Sequence, residues 1–334
     1  MTKFQSLLGA AAAVALSAGA ALAEPALIVD LGGKFDKSFN EAAFNGAERW
    51  AQETGGTYRD IELTSEAQRE QALRRFAEQG FNPVITTGFA FAGPVGAVAG
   101  DYPDTKFVNI DGGLDEVPAN VQFINFQEHQ GSYLVGMIAA MASESGTVGF
   151  IGGMDIPLIR HFGCGYAQGA KAANPDVTVI ANMTGTTPAA WNDPVKGAEL
   201  TRAQISQGAD VVYAAAGGTG VGVLQSAADE GILSIGVDSN QNYLHPGSVL
   251  TSMLKRVDVA VYESMKAGEA LETGGYTVLG LAEDGVGYAL DEHNEALLTD
   301  EIRTAVDAAR QQIIDGDLEV VAYYDNDSCP AHQF

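Results

Sequence analysis

Short apolar runs, several closing on an acid or a glycine, alternate along this chain with longer stretches whose apolar positions recur at helical spacing. Ala26–Val29 is such a run. It ends at Asp30 and breaks at Gly32-Gly33, and the polar turn Asp36-Lys37-Ser38 leads into Phe39-Asn40. Ala43, Phe44, Ala47 and Trp50 then mark one helical face. The same reading predicts strands over 57–63, 83–87, 107–110 and 121–126. Helices are predicted over 65–79, begun by Ser65 and stopped at Gly80, and over 94–100. A helix over 128–143 is apolar nearly all round, the mark of a buried one. Beyond it, strands over 147–152, 177–183, 210–216, 233–237 and 249–254 alternate with helices over 157–173, 194–207, 221–230 and 258–267. A last helix covers 299–316.

Strands alternating with helices make βαβ units and parallel sheets. The blocks around residues 25–125 and 146–246 share this pattern without an obvious sequence repeat. The predicted class is therefore α/β: two doubly wound, Rossmann-like lobes with a ligand cleft between them. Crossings are expected near 126–130, 246–248 and 282–285. They assign 24–126 plus 248–282 to an N-terminal lobe and 127–247 plus 283–334 to a C-terminal lobe. In such sheets the loops at the carboxyl ends of strands line the crevice, which singles out the strand-end acids Asp30, Asp111 and Asp238. An ordinary βα unit in which Asp36 or Ser38 only caps the helix is the plainer alternative for the first loop.

Residues 1–23 have the form of a secretory signal peptide, with Lys3 ahead of an apolar stretch and Ala21-Leu22-Ala23 at the cleavage point. The stretch is too short and too rich in Ala and Gly for a permanent membrane anchor. With no cysteine beside Ala23, the mature chain is expected in the periplasm without a lipid anchor. Some 310 mature residues exceed the usual size of a single core, in keeping with two lobes. Against 18 Lys and Arg stand 43 Asp and Glu, a net charge of −25. That balance argues against nucleic acid and anionic membrane as partners. Cys164 and Cys329 are the two cysteines. In an oxidising compartment they invite one disulfide pinning the C-terminal tail; a buried thiol and a loose terminal one are the alternative.

Gly217-Gly218-Thr219-Gly220-Val221-Gly222 follows a predicted strand, but its spacing is G-G-x-G-x-G and not the dinucleotide pattern G-x-G-x-x-G. No G-x-S-x-G elbow and no metal-ligand spacing accompanies the scattered histidines 129, 161, 245, 293 and 332. No cofactor, metal or catalytic residue is expected.

The string Asp30-x-Gly32-Gly33-x-x-Asp36-Lys37-Ser38-Phe39-Asn40-x-x-Ala43-x-x-Gly46 resembles the opening motif of the basic-membrane-protein family, solute-binding proteins of ABC importers, many of which bind purine nucleosides. The likeness continues through Phe107-Val108-Asn109-Ile110-Asp111, Phe162-x-x-Gly165-Tyr166-x-x-Gly169-Ala170, Gly236-Val237-Asp238-Ser239 and Leu250–Asp258. It implies the type I periplasmic binding fold, a purine nucleoside as ligand, an ABC permease in the inner membrane as partner, and a monomer. A free purine base, another small hydroxylated solute, or an exported nucleoside-acting enzyme are the alternatives. Residue by residue, the resemblance implies Phe39 and Trp191 as two jaws around the base, with Asp30 and Asn40 at its edge. Asp238 and Lys255 are implied for the ribose hydroxyls, and Phe89, Asp111 and Gly217 as cleft lining. The plainer readings make Asp238 and Lys255 an inter-lobe salt bridge, and Phe39 and Trp191 core aromatics. Thr186-Thr187-Pro188 departs from the family pattern just ahead of Trp191.

Overall fold

A computed structural model describes residues 23–334; the expected signal peptide, save Ala23, lies outside the described residues. β1 (Ala26–Val29) is wholly buried, and its unbroken apolar run is what a strand covered on both faces requires. α1 (Phe39–Thr54) follows. Its first turn is capped by Asp36 and not by Ser38: the Asp36 carboxylate accepts from the backbone N–H of Ser38, Asn40 and Glu41 at 2.8, 3.0 and 3.1 Å. The helix stops at Gly55, whose φ of 71° is the left-handed turn that glycine adopts most readily. β2 (Arg59–Glu62), α2 (Gln68–Glu78), β3 (Val84–Thr87), α3 (Ala92–Ala99), β4 (Phe107–Ile110) and β5 (Val121–Phe126) complete the first run. The strands are parallel in the order β2-β1-β3-β4-β5, which puts a topological switch point between β1 and β3.

After α4 (Glu128–Ala142) the second lobe repeats the plan. β6 (Thr147–Met154), α5 (Pro157–Ala173), β7 (Thr178–Gly185), α6 (Pro194–Ile205), β8 (Val211–Ala215), α7 (Thr219–Asp229), β9 (Leu233–Asp238) and β10 (Val249–Lys255) form the parallel order β7-β6-β8-β9-β10. The chain then returns: α8 (Val257–Ala267) packs on α1, and β11 (Gly275–Leu279) pairs in parallel with β5. β12 (Val286–Tyr288) runs antiparallel to β10, and α9 (Asp300–Asp315) packs on α4.

One expected boundary is corrected. Residues 249–255 belong to the second lobe, because β10 is a buried strand in register with β9, from Val249 beside Ser234 to Leu254 beside Asp238. The crossing falls after Lys255 instead of near 246–248. Neither β11 nor β12 was anticipated. β11 is an edge strand with half-exposed Tyr276 and Val278, so it lacks the buried run that marks the other strands.

The C-terminal tail is tied to α5. Cys164 and Cys329 form a disulfide, Gln168 exchanges hydrogen bonds with the backbone of Val321 (2.9 and 3.0 Å), and the Phe334 ring lies against Gly163. Cys329→Ser is expected to lower stability by about 2–4 kcal/mol, the usual worth of a bridge closing a long loop. Denaturant melts without reductant check this. An unchanged midpoint would mean that the non-covalent contacts suffice.

Candidate functional site

Between the lobes lies a cavity of about 400 Å³, walled by the carboxyl ends of strands from both sheets. All nine residues singled out from the sequence line it: Asp30, Phe39, Asn40, Phe89 and Asp111 from the first lobe, Trp191, Gly217, Asp238 and Lys255 from the second. It also takes in residues that the sequence reading missed, among them Arg69, Met154, Leu158, Ile159 and Phe162.

Two acids occupy equivalent places. Asp111 follows β4 and Asp238 ends β9, the fourth strand of each parallel run, and both hold left-handed backbone conformations (φ 68° and 63°). A non-glycine residue pays for that conformation with strain, here at the cleft wall of each lobe. Lys255, at the end of β10, is fully buried and joins the lobes: its Nζ lies 2.5 Å from Asp111 Oδ2 and 2.8 Å from Glu128 Oε1. The rings of Phe39, Phe126 and Phe162 surround it at 5.1–5.4 Å. Burial alone would lower the Lys255 ammonium, but Asp111, Glu128 and Asp238 outweigh it and hold the group above its ordinary range. Burial raises the Asp111 carboxyl to about 6, against the pull of Lys255. Burial likewise raises Asp238 to about 7, with Lys255 and Ser38 opposing.

Lys255 and Asp238 do not pair with each other. Asp238 instead accepts from the Ser38 hydroxyl across the cleft. Ser239 Oγ donates to the Ser38 carbonyl (3.0 Å), and Gln241 Nε2 donates to the Lys37 carbonyl (2.9 Å). The start of α1 is thus docked on the end of β9. On the same side Trp191 Cβ comes close to Gly32, where an added Cβ would stand 3.3 Å from it. The Trp191 ring lies over Gly153, where a Cβ would fall 2.2 Å from it, so only glycine lets that ring take its place. Phe39 and Trp191 are half-buried and packed at the core's edge while lining the cavity, so neither is a plain core aromatic.

At the opposite end Asp30 pairs with a buried arginine: Arg69 Nε lies 3.0 and 3.2 Å from the two carboxylate oxygens. Burial raises the Asp30 carboxyl above its ordinary value despite this partner. Asn40 is committed to the protein. Its Nδ2 donates to the carbonyls of Gly33 (3.1 Å) and Asp30 (3.4 Å), and its Oδ1 accepts from the Thr87 hydroxyl (3.1 Å). Behind Glu128, His161 is held neutral, lowered to about 3 by burial and then by Lys255, so its 3.8 Å approach to Glu128 is no ion pair.

Asp238 makes stability depend on pH. A carboxyl raised from 3.8 to about 7 binds more protons in the folded chain than in the unfolded one between those values. The stability it lends is full below about pH 4 and lost as pH rises through 7. Asp238→Asn, free of this loss, is expected to gain on the wild type by about 1–3 kcal/mol from pH 5 to pH 8. Ligand-free thermal melts at both pH values test it; a constant difference would refute it.

A family model described as ABC transporter substrate-binding protein, PnrA-like, matches residues 24–322. A nucleoside-binding protein of an ABC transporter from Lactococcus lactis is 32% identical over 321 residues, covering 88% of each chain. An uncharacterized lipoprotein of Pyrococcus abyssi is 36% identical over 278 residues, 79% of this chain and 68% of that one. Among solved structures, an ABC transporter solute-binding protein from Aeropyrum pernix superposes with a TM-score of 0.82 at 29% identity, covering 91% of this chain and 95% of that one. One expectation falls here. The mature chain was expected in the periplasm with no lipid anchor, and relatives named as lipoproteins overturn that.

Proposed function

This chain belongs to the family of PnrA-like ABC transporter substrate-binding proteins, and from that premise we propose that the solute it captures is an intact purine nucleoside. As a substrate-binding protein it takes a small molecule between its lobes and presents it to a permease. The nucleoside reading rests on one observation: the cavity sets aromatic rings beside a buried cluster of acids around one ammonium. The half-buried rings of Phe39 and Trp191 line it, suited to the faces of a flat base, each worth about 1 kcal/mol beyond its buried area, and the Phe39 ring also lies 5.2 Å from Lys255 Nζ. Beside Phe39, Asp111 and Asp238 line the cavity next to Lys255, whose ammonium pairs with Asp111 and with the buried Glu128. Asp111 Oδ1 is buried there without a hydrogen-bond partner. Such a cluster wants O–H donors, which two neighbouring ribose hydroxyls supply and a free base does not. A cavity near 400 Å³ falls within the range of about 300–1,000 Å³ usual for small-molecule sites.

In this reading α1 and β9 close over the ligand through Ser38, Ser239 and Gln241, the monomer acts alone, and the solute leaves unchanged. Isothermal titration of ligand-stripped protein with inosine, guanosine, adenosine and their free bases tests the proposal, with chromatography of the recovered ligand. Tight binding of nucleosides that return intact supports it. Bases bound in preference to nucleosides, or free base and ribose released, would overturn it.

A further inference from the structure

Arg69 was not among the residues expected at the site, and its surroundings set it apart. It comes from α2, is 7% exposed, and lines the cavity beside Asp30. Its Nε is taken by the Asp30 carboxylate, and its Nη1 reaches Glu66 only at 3.5 Å. Nη2 meets no acceptor among the described residues. A guanidinium cannot shed its charge and only donates, so an Nη2 that lines the cavity and meets no acceptor in the described chain is free to donate to one brought by the ligand. Of the polar side chains beside Asp30, the Asn40 amide is bonded within the loop and the Thr87 hydroxyl donates to it. Gly88 (φ 98°) leaves Asp30 Oδ2 uncovered on that side, where a Cβ would rest in ordinary contact at 3.6 Å.

We infer, resting on the nucleoside reading above, that Arg69 is a specificity-determining residue which selects purine nucleosides carrying a carbonyl oxygen at the six-position. The edge of a 6-oxopurine offers an acceptor oxygen beside a ring N–H donor. Arg69 Nη2 donates to the oxygen, and the Asp30 carboxylate accepts from the N–H. Adenine presents an amino group at that position, which sets donor against donor. A site built around a polar partner discriminates strongly against an analogue lacking it, because the site's own group is then left unpaired.

The test compares inosine with purine riboside, which lacks only the six-oxygen and its accompanying ring proton, and with adenosine, by calorimetric titration. The variants are the wild type, Arg69→Gln, and Arg69→Gln with Asp30→Asn, which removes the unpaired carboxylate that the single variant leaves. The wild type is expected to favour inosine over purine riboside and adenosine by at least about tenfold. Both variants are expected to lose that preference to within about threefold while still binding purine riboside. Equal weakening of all three ligands would make Arg69 only a support for Asp30 and overturn the inference. So would a wild type that binds nucleosides without preference, which leaves the nucleoside reading standing. A wild type that binds no purine nucleoside overturns both. Melting curves of each variant confirm that the fold is kept.

Discussion

Lys255→Met is expected to cost about 3–5 kcal/mol of stability and to reduce affinity for the solute by about a hundredfold or more. The ammonium is the shared partner of Asp111 and Glu128 inside a box of three phenylalanine rings. Without it two buried carboxylates lose their counter-charge, and removing one member of a buried ion pair is far costlier than removing all of them. The acids can escape part of the penalty by taking up protons, so it should shrink as the pH falls towards 5. Replacing all three groups separates structure from function. Lys255→Met with Asp111→Asn and Glu128→Gln is expected to recover most of the stability but none of the affinity, since no cation is left in the cluster. Chemical denaturation at pH 5 and pH 8 and calorimetric titration read the two effects. A single variant as stable as the wild type would mean that the cluster contributes nothing to the fold.

Much of the architecture was legible because the central strands are buried on both faces. Runs such as Ala26–Val29 and Val121–Phe126 then stand out without help from periodicity, and each acid or glycine that ends one points at the cleft. Strand ends therefore carried Asp30, Asp111, Gly217 and Asp238 to the cavity wall. The features that stayed hidden are those made by pairing distant segments. β11 and β12 are short, partly exposed returns that exist because a sheet edge is waiting for them. β10 reads equally well in either lobe until its register with β9 is known. Arg69 sits in a stretch, Gln68–Glu78, so charged that it reads as a solvated helix face. Only its docking beside β1 turns that one side chain inwards to Asp30, 39 positions away. The partner of Asp238 was out of reach for the same reason: Ser38 is 200 positions away in the other lobe.

Gly169→Ala is expected to destabilise the protein by about 3 kcal/mol or more, although alanine is the better helix former by about 1 kcal/mol. α4 and α5 cross with their backbones nearly touching. A Cβ at Gly169 would fall 1.9 Å from the Tyr133 carbonyl oxygen, at Gly165 2.2 Å from that of His129, and at Gly136 2.1 Å from that of Tyr166. None of these can yield as a flexible side-chain tip would, because the obstacle is backbone, and ordinary contact begins near 3.4 Å. The two helices must therefore separate, opening a well-packed core. The displacement also reaches the cavity, since Leu158, Ile159 and Phe162 project into it from the other end of α5. Affinity for the ligand should fall together with stability, in a residue that touches no ligand. Gly93→Ala is the matched control: it lies in a helix with nothing within 4 Å of the added Cβ, so it should be neutral or slightly stabilising. Equal melting points for the two variants would show that the α4–α5 crossing is free to widen, and the close approach of the two backbones would then hold neither the core nor the cavity wall in place.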